Sequence, residues 1–261
     1  MDKTSRAPFE IDILAFARIV LAGVVWSEYA SYFLPYRDLS GYHLFTGLVF
    51  YATSLALMLG WRARASAFLL GLLLLWLKIY DGQVLHAPHF THHYETLLAL
   101  LVCLMGFTPC QLYFSFDRAL GKRTVDSDQT WFLPMFRGLL SSVYLFAAIA
   151  KTSYGSVTGV RLYMTLADGY FSSMLPPFDL SWPMLVLSWQ VILIELFFSF
   201  AIWNKNLARR SFPLAIGFHA LLFITLPVAT FSLLMILGWS IIVFLQSPTP
   251  LTIAYRGKIF E

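Results

Sequence analysis

The chain has few charged residues for its length, which excludes a soluble globular domain as its main component. Lysine, arginine, aspartate and glutamate make up 12% of the 261 residues, whereas hydrophobic residues make up 59%. A soluble domain has roughly 25% charged residues. The mean hydropathy of +0.70 leaves too little polar surface to cover a water-soluble core. The composition therefore predicts a protein that lies mostly within the lipid bilayer.

Cysteine is scarce and internal repeats are absent, and each absence disfavours a class of protein. Cys103 and Cys110 lie seven residues apart in one predicted helix, a separation of about 10 Å that an intrahelical disulfide cannot bridge. They are predicted to be buried apolar thiols. No inverted repeat is visible, which disfavours a secondary transporter. No motif that combines basic and aromatic residues indicates a nucleic-acid partner.

Long apolar runs dominate what is present. They cover residues 11–34, 42–60, 65–85, 93–111, 131–151, 183–203, 211–226 and 229–246. A helix needs about 20 apolar residues to cross the hydrocarbon core of a bilayer. Residues 1–261 are therefore predicted to form a single transmembrane domain. Its predicted fold class is all-α, a polytopic helical bundle of about eight transmembrane helices in contact with membrane lipid.

The charges of the loops orient this bundle. With the N-terminus placed inside, twelve basic residues fall in inside segments: Lys3, Arg6, Arg62, Arg64, Arg118, Lys122, Arg123, Lys205, Arg209, Arg210, Arg256 and Lys258. Lysine and arginine are enriched in cytoplasmic loops, so both termini are predicted to be cytoplasmic. Segments 86–92 and 152–182 then face outward. In a bacterium the predicted location is the plasma (inner) membrane.

Nine ionisable residues interrupt the apolar runs or flank them closely. They are Arg18, Glu28, Lys78, His93, Glu95, Arg137, Lys151, Glu195 and His219. Ionisable side chains are costly in hydrocarbon, so each is expected to have a partner or a function.

The densest polar cluster runs from His86 to Glu95 and contains four histidines. Histidine and glutamate can bind metals, but Pro88 restricts the helix start and no HExxH pattern is present, so a metal site is the least favoured of three interpretations and no metal ligand is assigned. An acid–base or quinone-binding site at the outer face is favoured. A polar interfacial loop with one or two hydrogen-bonded histidines is the remaining alternative.

The later ionisable residues each allow two interpretations. Lys151 either extends to the membrane interface or acts as a base in a desolvated pocket. Glu195 lies in the middle of a span and must be neutral or paired, with Arg18 and Arg137 as candidate partners. His219 is interpreted first as a hydrogen-bonded residue of the bundle, and Arg18 as a structural residue or a ligand anchor.

Four segments resemble, in order, the motifs of one membrane family. They are His92-His93-Tyr94 at the start of a helix, Pro109 to Arg118 at its end, Val143 to Lys151 followed by Gly159, and Glu195 with Phe218-His219 and Phe231 to Met235. Together they resemble the membrane region of vitamin K-dependent gamma-carboxylase, which belongs to the horizontally transferred transmembrane domain (HTTM) family. His92 stands where the family motif has asparagine, and Ala148 where it has glycine.

The resemblance implies a helical bundle with an outward-facing pocket, a reduced vitamin K-like quinone as cofactor and a secreted peptide or protein as substrate. It implies that Lys151 is the base that deprotonates the quinol, with His93 and His219 as further catalytic residues. The cofactor-binding residues are expected to be His92, Tyr94, Arg18 and Glu195.

Two other functions stay open. The chain is alternatively a non-catalytic membrane factor for the maturation, export or immunity of a secreted peptide, in which the polar residues hold the bundle together or bind the partner. A redox accessory function is the other possibility, because Leu59 to Arg64 has a likeness to the DoxX group.

Overall fold

The structure, a computed structural model, describes residues 8–33, 41–84, 93–110, 115–120, 131–167, 182–226 and 228–246. Every regular element in these ranges is a helix, which confirms the predicted all-α class. The chain divides into two compact units, unit 1 with residues 1–132 and 244–261 and unit 2 with residues 133–243.

Unit 1 is built from four longer helices and one short helix. They are α1 (Pro8–Tyr29), α2 (Gly41–Leu59), α3 (Ala63–Leu77), α4 (His93–Met105) and α5 (Phe116–Ala119), and α3 continues as a π-helical segment (Lys78–Val84). Helix α3 packs against both α2 and α4, and α1 packs against α2 and α4.

Two backbone features fix the local arrangement of unit 1. Gly60 (φ 73°) and Arg62 (φ 44°) adopt the left-handed conformation and turn the chain between α2 and α3. A Cβ on Gly71 would lie 2.7 Å from the backbone nitrogen of Cys103, so a residue without a side chain allows α3 and α4 to approach closely.

Unit 2 contains α6 (Leu133–Ala150), the short helices α7 (Tyr154–Val157) and α8 (Val160–Ala167), and α9 (Trp182–Ala201). It also contains α10 (Lys205–Thr225) and most of α11 (Ala229–Leu245). Helix α9 is central, because α6, α7, α8 and α10 all pack against it.

Within the described ranges, five helical segments are long and apolar enough to cross a membrane: Gly41–Leu59, Ala63–Asp81, Leu133–Ala150, Trp182–Ala201 and Lys205–Thr225. Large apolar side chains on their surfaces are exposed, for example Phe45 (67%) and Phe146 (68%). Such surfaces are stable when lipid covers them. The chain is therefore an integral membrane protein, whereas the count of eight spans and the cytoplasmic position of both termini stay predictions.

Two boundaries differ most from the sequence prediction, each by six residues. Helix α10 begins at Lys205 rather than residue 211, because the side chain of Asn204 accepts hydrogen bonds from the backbone nitrogens of Asn206 and Leu207 and caps a basic first turn. Helix α4 ends at Met105 rather than residue 111. Cys110 is therefore buried in the turns that follow α4 and does not share a helix with Cys103.

Candidate functional site

Unit 2 encloses a cavity of about 340 Å³ among α6, α8, α9, α10 and the start of α11. Most of its wall is apolar, with Val191 on α9, Leu222 and Phe218 on α10, and Val228 and Phe231 at the start of α11. Ligand pockets in proteins typically measure about 300–1,000 Å³ and combine apolar walls with a few polar groups. This cavity has the size and the wall chemistry of a small-molecule site.

An ion pair supplies the main polar group of the cavity. The Nζ of Lys151 lies 2.7 Å from Oε1 and 2.8 Å from Oε2 of Glu195. The Glu195 side chain is 8% exposed and that of Lys151 is 37% exposed. Both residues line the cavity, so the pair is partly open to a ligand and is not sealed inside a helix interface.

The pairing corrects the sequence prediction for Glu195. Arg18 and Arg137 were the predicted partners, but the carboxylate binds Lys151. The physical reason is the packing of α6 against α9. Lys151 directly follows α6, and its long side chain reaches the middle of α9 from that position. Lys151 is thus partly exposed and paired at the same time, and its function as a base stays a prediction.

A second cation, Arg161 on α8, also lines the cavity. Among the residues that the structure describes, its guanidinium has no hydrogen bond or ion pair. The cavity wall therefore carries the charges of Lys151, Arg161 and Glu195, which sum to +1.

The position of α8 depends on Gly159, the residue before it. Gly159 has a φ of 80°, and a Cβ at this position would lie 2.6 Å from the carbonyl carbon of Met184 on α9. Ser188 of α9 also donates a hydrogen bond to the carbonyl oxygen of Ser156 in α7. These contacts hold α7 and α8 against α9 and so place Arg161 at the cavity.

His219 forms a buried hydrogen-bonded chain with two other aromatic side chains of unit 2. Trp239 Nε1 donates to the Tyr144 hydroxyl oxygen at 2.8 Å, and this hydroxyl lies 2.6 Å from His219 Nε2. Tryptophan can only donate, so the tyrosine oxygen accepts from Trp239, whereas the direction of its bond with His219 Nε2 depends on the histidine tautomer. The other ring nitrogen, Nδ1, has no hydrogen-bond partner in the described parts of the chain.

His219 is next to the cavity wall. Its ring centroid lies 5.2 Å from that of Phe218 and 5.9 Å from that of Phe231, and both phenylalanines line the cavity. Of the predicted site residues, Lys151 and Glu195 are thus brought into direct contact, and His219 packs behind the aromatic part of the same wall.

The other predicted site residues lie in unit 1. Arg18 is fully buried and donates from Nη1 to the carbonyl oxygen of Cys110 at 2.9 Å. Tyr94 donates to Glu28 Oε2 at 3.0 Å. Arg18 and Glu28 are ten residues apart on α1, a separation of about 15 Å, so Arg18 and Tyr94 do not share one site. His93 begins α4 without a described side chain, and His92 lies outside the described residues.

Unit 1 also contains a polar cluster that the sequence reasoning missed. Asp81 is fully buried in the π-helical segment and accepts hydrogen bonds from the hydroxyl groups of Tyr32 and Tyr42, each at 2.9 Å. Nearby in the sequence, Lys78 of the same segment pairs with Glu95 of α4 at 2.7 Å. The sequence signal for this cluster is an aspartate within the apolar run 65–85.

Within the described ranges, no three histidine, cysteine, aspartate or glutamate side chains form a group that could hold a metal ion. His86 and His89, the other histidines of the predicted polar cluster, lie outside those ranges.

The apolar helices, the exposed apolar surfaces and the buried ionisable residues together define a polytopic α-helical membrane protein. Comparison with protein families is more specific, because residues 33–247 match the model of the HTTM domain. The chain belongs to the HTTM family, as its motifs predicted. No curated protein and no solved structure matches it.

Proposed function

We propose that the unit 2 cavity binds a reduced quinone and that the protein is a carboxylase-like enzyme whose base is the Lys151–Glu195 pair. One observation carries this proposal. The pair lines a cavity with apolar walls, whereas an ion pair that only joins two helices needs no cavity beside it. The substrate of such an enzyme would be a secreted peptide or protein, reached from the outer face of the membrane.

The chemistry of the cavity wall suits a quinone ring. Phe218 and Phe231 provide aromatic surface, and aromatic rings pack favourably in offset or edge-to-face arrangements. Lys151 and Glu195 provide a hydrogen-bond donor and an acceptor for a ring hydroxyl. When bound, a reduced quinone would supply that hydroxyl and, by reaction with molecular oxygen, the strong base that a carboxylation consumes.

Lys151 and Glu195 have different functions in proton transfer. A lysine ammonium has three donors and no lone pair, so Lys151 in its paired, protonated form cannot accept a proton. Glu195 can accept it, and the ammonium of Lys151 then remains beside the negative charge that the departing proton leaves. If the proton shifts within the pair first, the amine of Lys151 accepts instead. In both cases the pair acts as one unit.

His219 has a supporting function in this proposal. Tyr144 and Trp239 hold its ring through the hydrogen-bonded chain, and Phe218 and Phe231, which line the cavity, pack against the ring. Nε2 is hydrogen-bonded to the tyrosine hydroxyl, so Nδ1 is the ring nitrogen left for a ligand. His219 would therefore maintain the aromatic wall or form one hydrogen bond through Nδ1.

Purified protein with its native lipid tests the enzyme proposal. We expect a quinone in the organic extract and epoxide formation when reduced quinone and oxygen are supplied. Lys151→Ala and Glu195→Gln should each lower the epoxidation rate by at least about a hundredfold, the usual contribution of a general base. Lys205→Ala is the matched control, because Lys205 is exposed at the start of α10 and does not line the cavity. Equal turnover in Lys151→Ala and Lys205→Ala would refute the assigned base.

A non-catalytic function is the second candidate. It is favoured by the ion pair of Lys151 and Glu195, which is complete without a ligand, as expected of a cross-link between α6 and α9. The protein would then hold or protect a secreted peptide at the membrane. Absence of both quinone and turnover, together with co-purification of a peptide encoded by a neighbouring gene, would support this candidate.

A further inference from the structure

The charge balance of the unit 2 cavity is not explained by a neutral ligand. Among the residues that the structure describes, Lys151 and Glu195 neutralise each other, which leaves the guanidinium of Arg161 as the uncompensated charge of the cavity wall. A reduced quinone is neutral and makes no use of it. Arg161 is exposed, so solvent screens part of its charge, but it has no partner among the described residues and stays available to an anion.

Arg161 is also held at the cavity by the fold. Helix α8 has no buried residue, so burial of its own side chains does not fix its position. Gly159 and the contact between Ser156 and Ser188 fix it instead, by attaching α7 and the start of α8 to α9. The backbone of Arg161 is therefore held beside the cavity, and the planar set of donors on its guanidinium suits a carboxylate or a phosphate.

The rest of the wall determines the kind of anion. Phe218, Leu222 and Phe231 present hydrocarbon, which would leave a small inorganic anion without favourable contacts. A volume of about 340 Å³ is near the lower end of the range for ligand sites. It suits one ring or one medium-length chain and excludes a whole two-chain phospholipid.

We infer that the unit 2 cavity takes an amphipathic anion, with its oxyanion head group bound by Arg161 and its apolar body against Phe218 and Phe231. The inference rests on the cavity of the proposed function but not on its reaction. It makes a negatively charged single-chain or single-ring amphiphile a second ligand of the cavity, bound in place of the quinone.

Photolabelling in lipid nanodiscs tests this inference. The probe is decanoate with a diazirine near its tail, and the labelled peptides are mapped by mass spectrometry. We expect labelling of cavity residues of α9, α10 and α11. Unlabelled decanoate should compete for the site, and decanol and decyltrimethylammonium should not. Equal competition by decanol would overturn the inference, because the cavity would then select for the chain alone.

Variants of Arg161 provide the second half of the test. Arg161→Gln should weaken cavity labelling about tenfold, the loss expected for one charge-assisted hydrogen bond, and Arg161→Lys should retain part of it. Arg209→Gln, an exposed arginine on α10 that does not line the cavity, should label like the parent. Undiminished labelling in Arg161→Gln would overturn the inference.

The result of the labelling experiment is independent of the result of the epoxidation assay. Decanoate cannot form an epoxide by quinol chemistry, and its binding needs no proton transfer. Charge-selective labelling without epoxidation would therefore leave the inference standing and remove the proposed reaction. Epoxidation without charge-selective labelling would support the proposed reaction and overturn the inference.

Discussion

At the scale of single residues, unit 2 combines an ion pair with an open cavity. The pair is required for stability even when the cavity holds no ligand. The carboxylate of Glu195 is buried on α9, so it needs the ammonium of Lys151 at 2.7 Å whether or not a ligand binds. A buried charge that loses its partner is more destabilising than a pair that is removed as a whole.

A double-mutant cycle measures this dependence. Lys151→Met should lower the free energy of unfolding by roughly 1–3 kcal/mol, less than for a fully buried pair because the lysine is partly exposed. Lys151→Met combined with Glu195→Leu should recover at least part of that loss. Thermal unfolding in a fixed detergent provides the readout. Strictly additive effects of the two substitutions would show that the pair contributes no coupling energy.

Gly159 provides a second test at the residue scale, with Gly155 as its matched control. Alanine at position 159 must adopt the left-handed conformation, at a cost of about 1–2 kcal/mol, and its Cβ would collide with the backbone of Met184. A Cβ at Gly155 would meet nothing within 4 Å. We expect Gly159→Ala to lower both the unfolding temperature and decanoate labelling. Gly155→Ala should leave both close to those of the parent, and similar behaviour of the two variants would contradict the structural role of Gly159.

At the scale of elements, the close contact between α3 and α4 depends on one small residue. Gly71 meets the backbone of Cys103 so closely that a methyl group has no space. Gly71→Ala should destabilise the protein by about 1–3 kcal/mol, as overpacking usually does. Gly23→Ala in α1 should be neutral or stabilising, because nothing lies within 4 Å of its Cβ position and alanine favours a helix over glycine. Unfolding temperatures that change in the same direction in both variants would contradict this packing.

The elements also show what the sequence could predict. Apolar runs located the long helices well, since length and composition suffice to mark a helix that lipid can cover. They misplaced the start of α10, because the signal there is the local cap Asn204 in a basic segment. They also extended α4 through Gly106 to residue 111, because hydropathy does not register the turns that end a helix.

The candidate site was predictable only in part. Hydropathy singled out Lys151, Glu195 and His219 as ionisable residues in apolar surroundings, but it could not pair them. Pairing depends on which helices are neighbours, and the contact of α6 with α9 joins residues that are 44 positions apart. Arg161 went unnoticed as a site residue because it lies in a predicted loop, where an arginine is ordinary. Its significance arises from the position of α8 over the cavity.

At the scale of the whole molecule, the proposed chemistry requires a defined orientation in the membrane. The predicted arrangement places the segment after α6 outside and the start of α10 inside. Ser153 and Lys205 are exposed residues in these two segments and can carry single cysteines after Cys103 and Cys110 are replaced by alanine. In intact cells, a membrane-impermeant maleimide should label Ser153→Cys and should reach Lys205→Cys only after lysis. The opposite pattern would invert the predicted topology.

The central claim is that the unit 2 cavity is a ligand site, and filling it tests that claim most directly. Ala147 lines the cavity and Ala52 is exposed on α2, so phenylalanine at position 147 should occupy the cavity while phenylalanine at position 52 faces lipid. The measurement is the affinity of a reduced naphthoquinone for the parent and for both variants in nanodiscs. Binding should be lost in Ala147→Phe and unchanged in Ala52→Phe. Equal affinity in all three proteins would contradict the account.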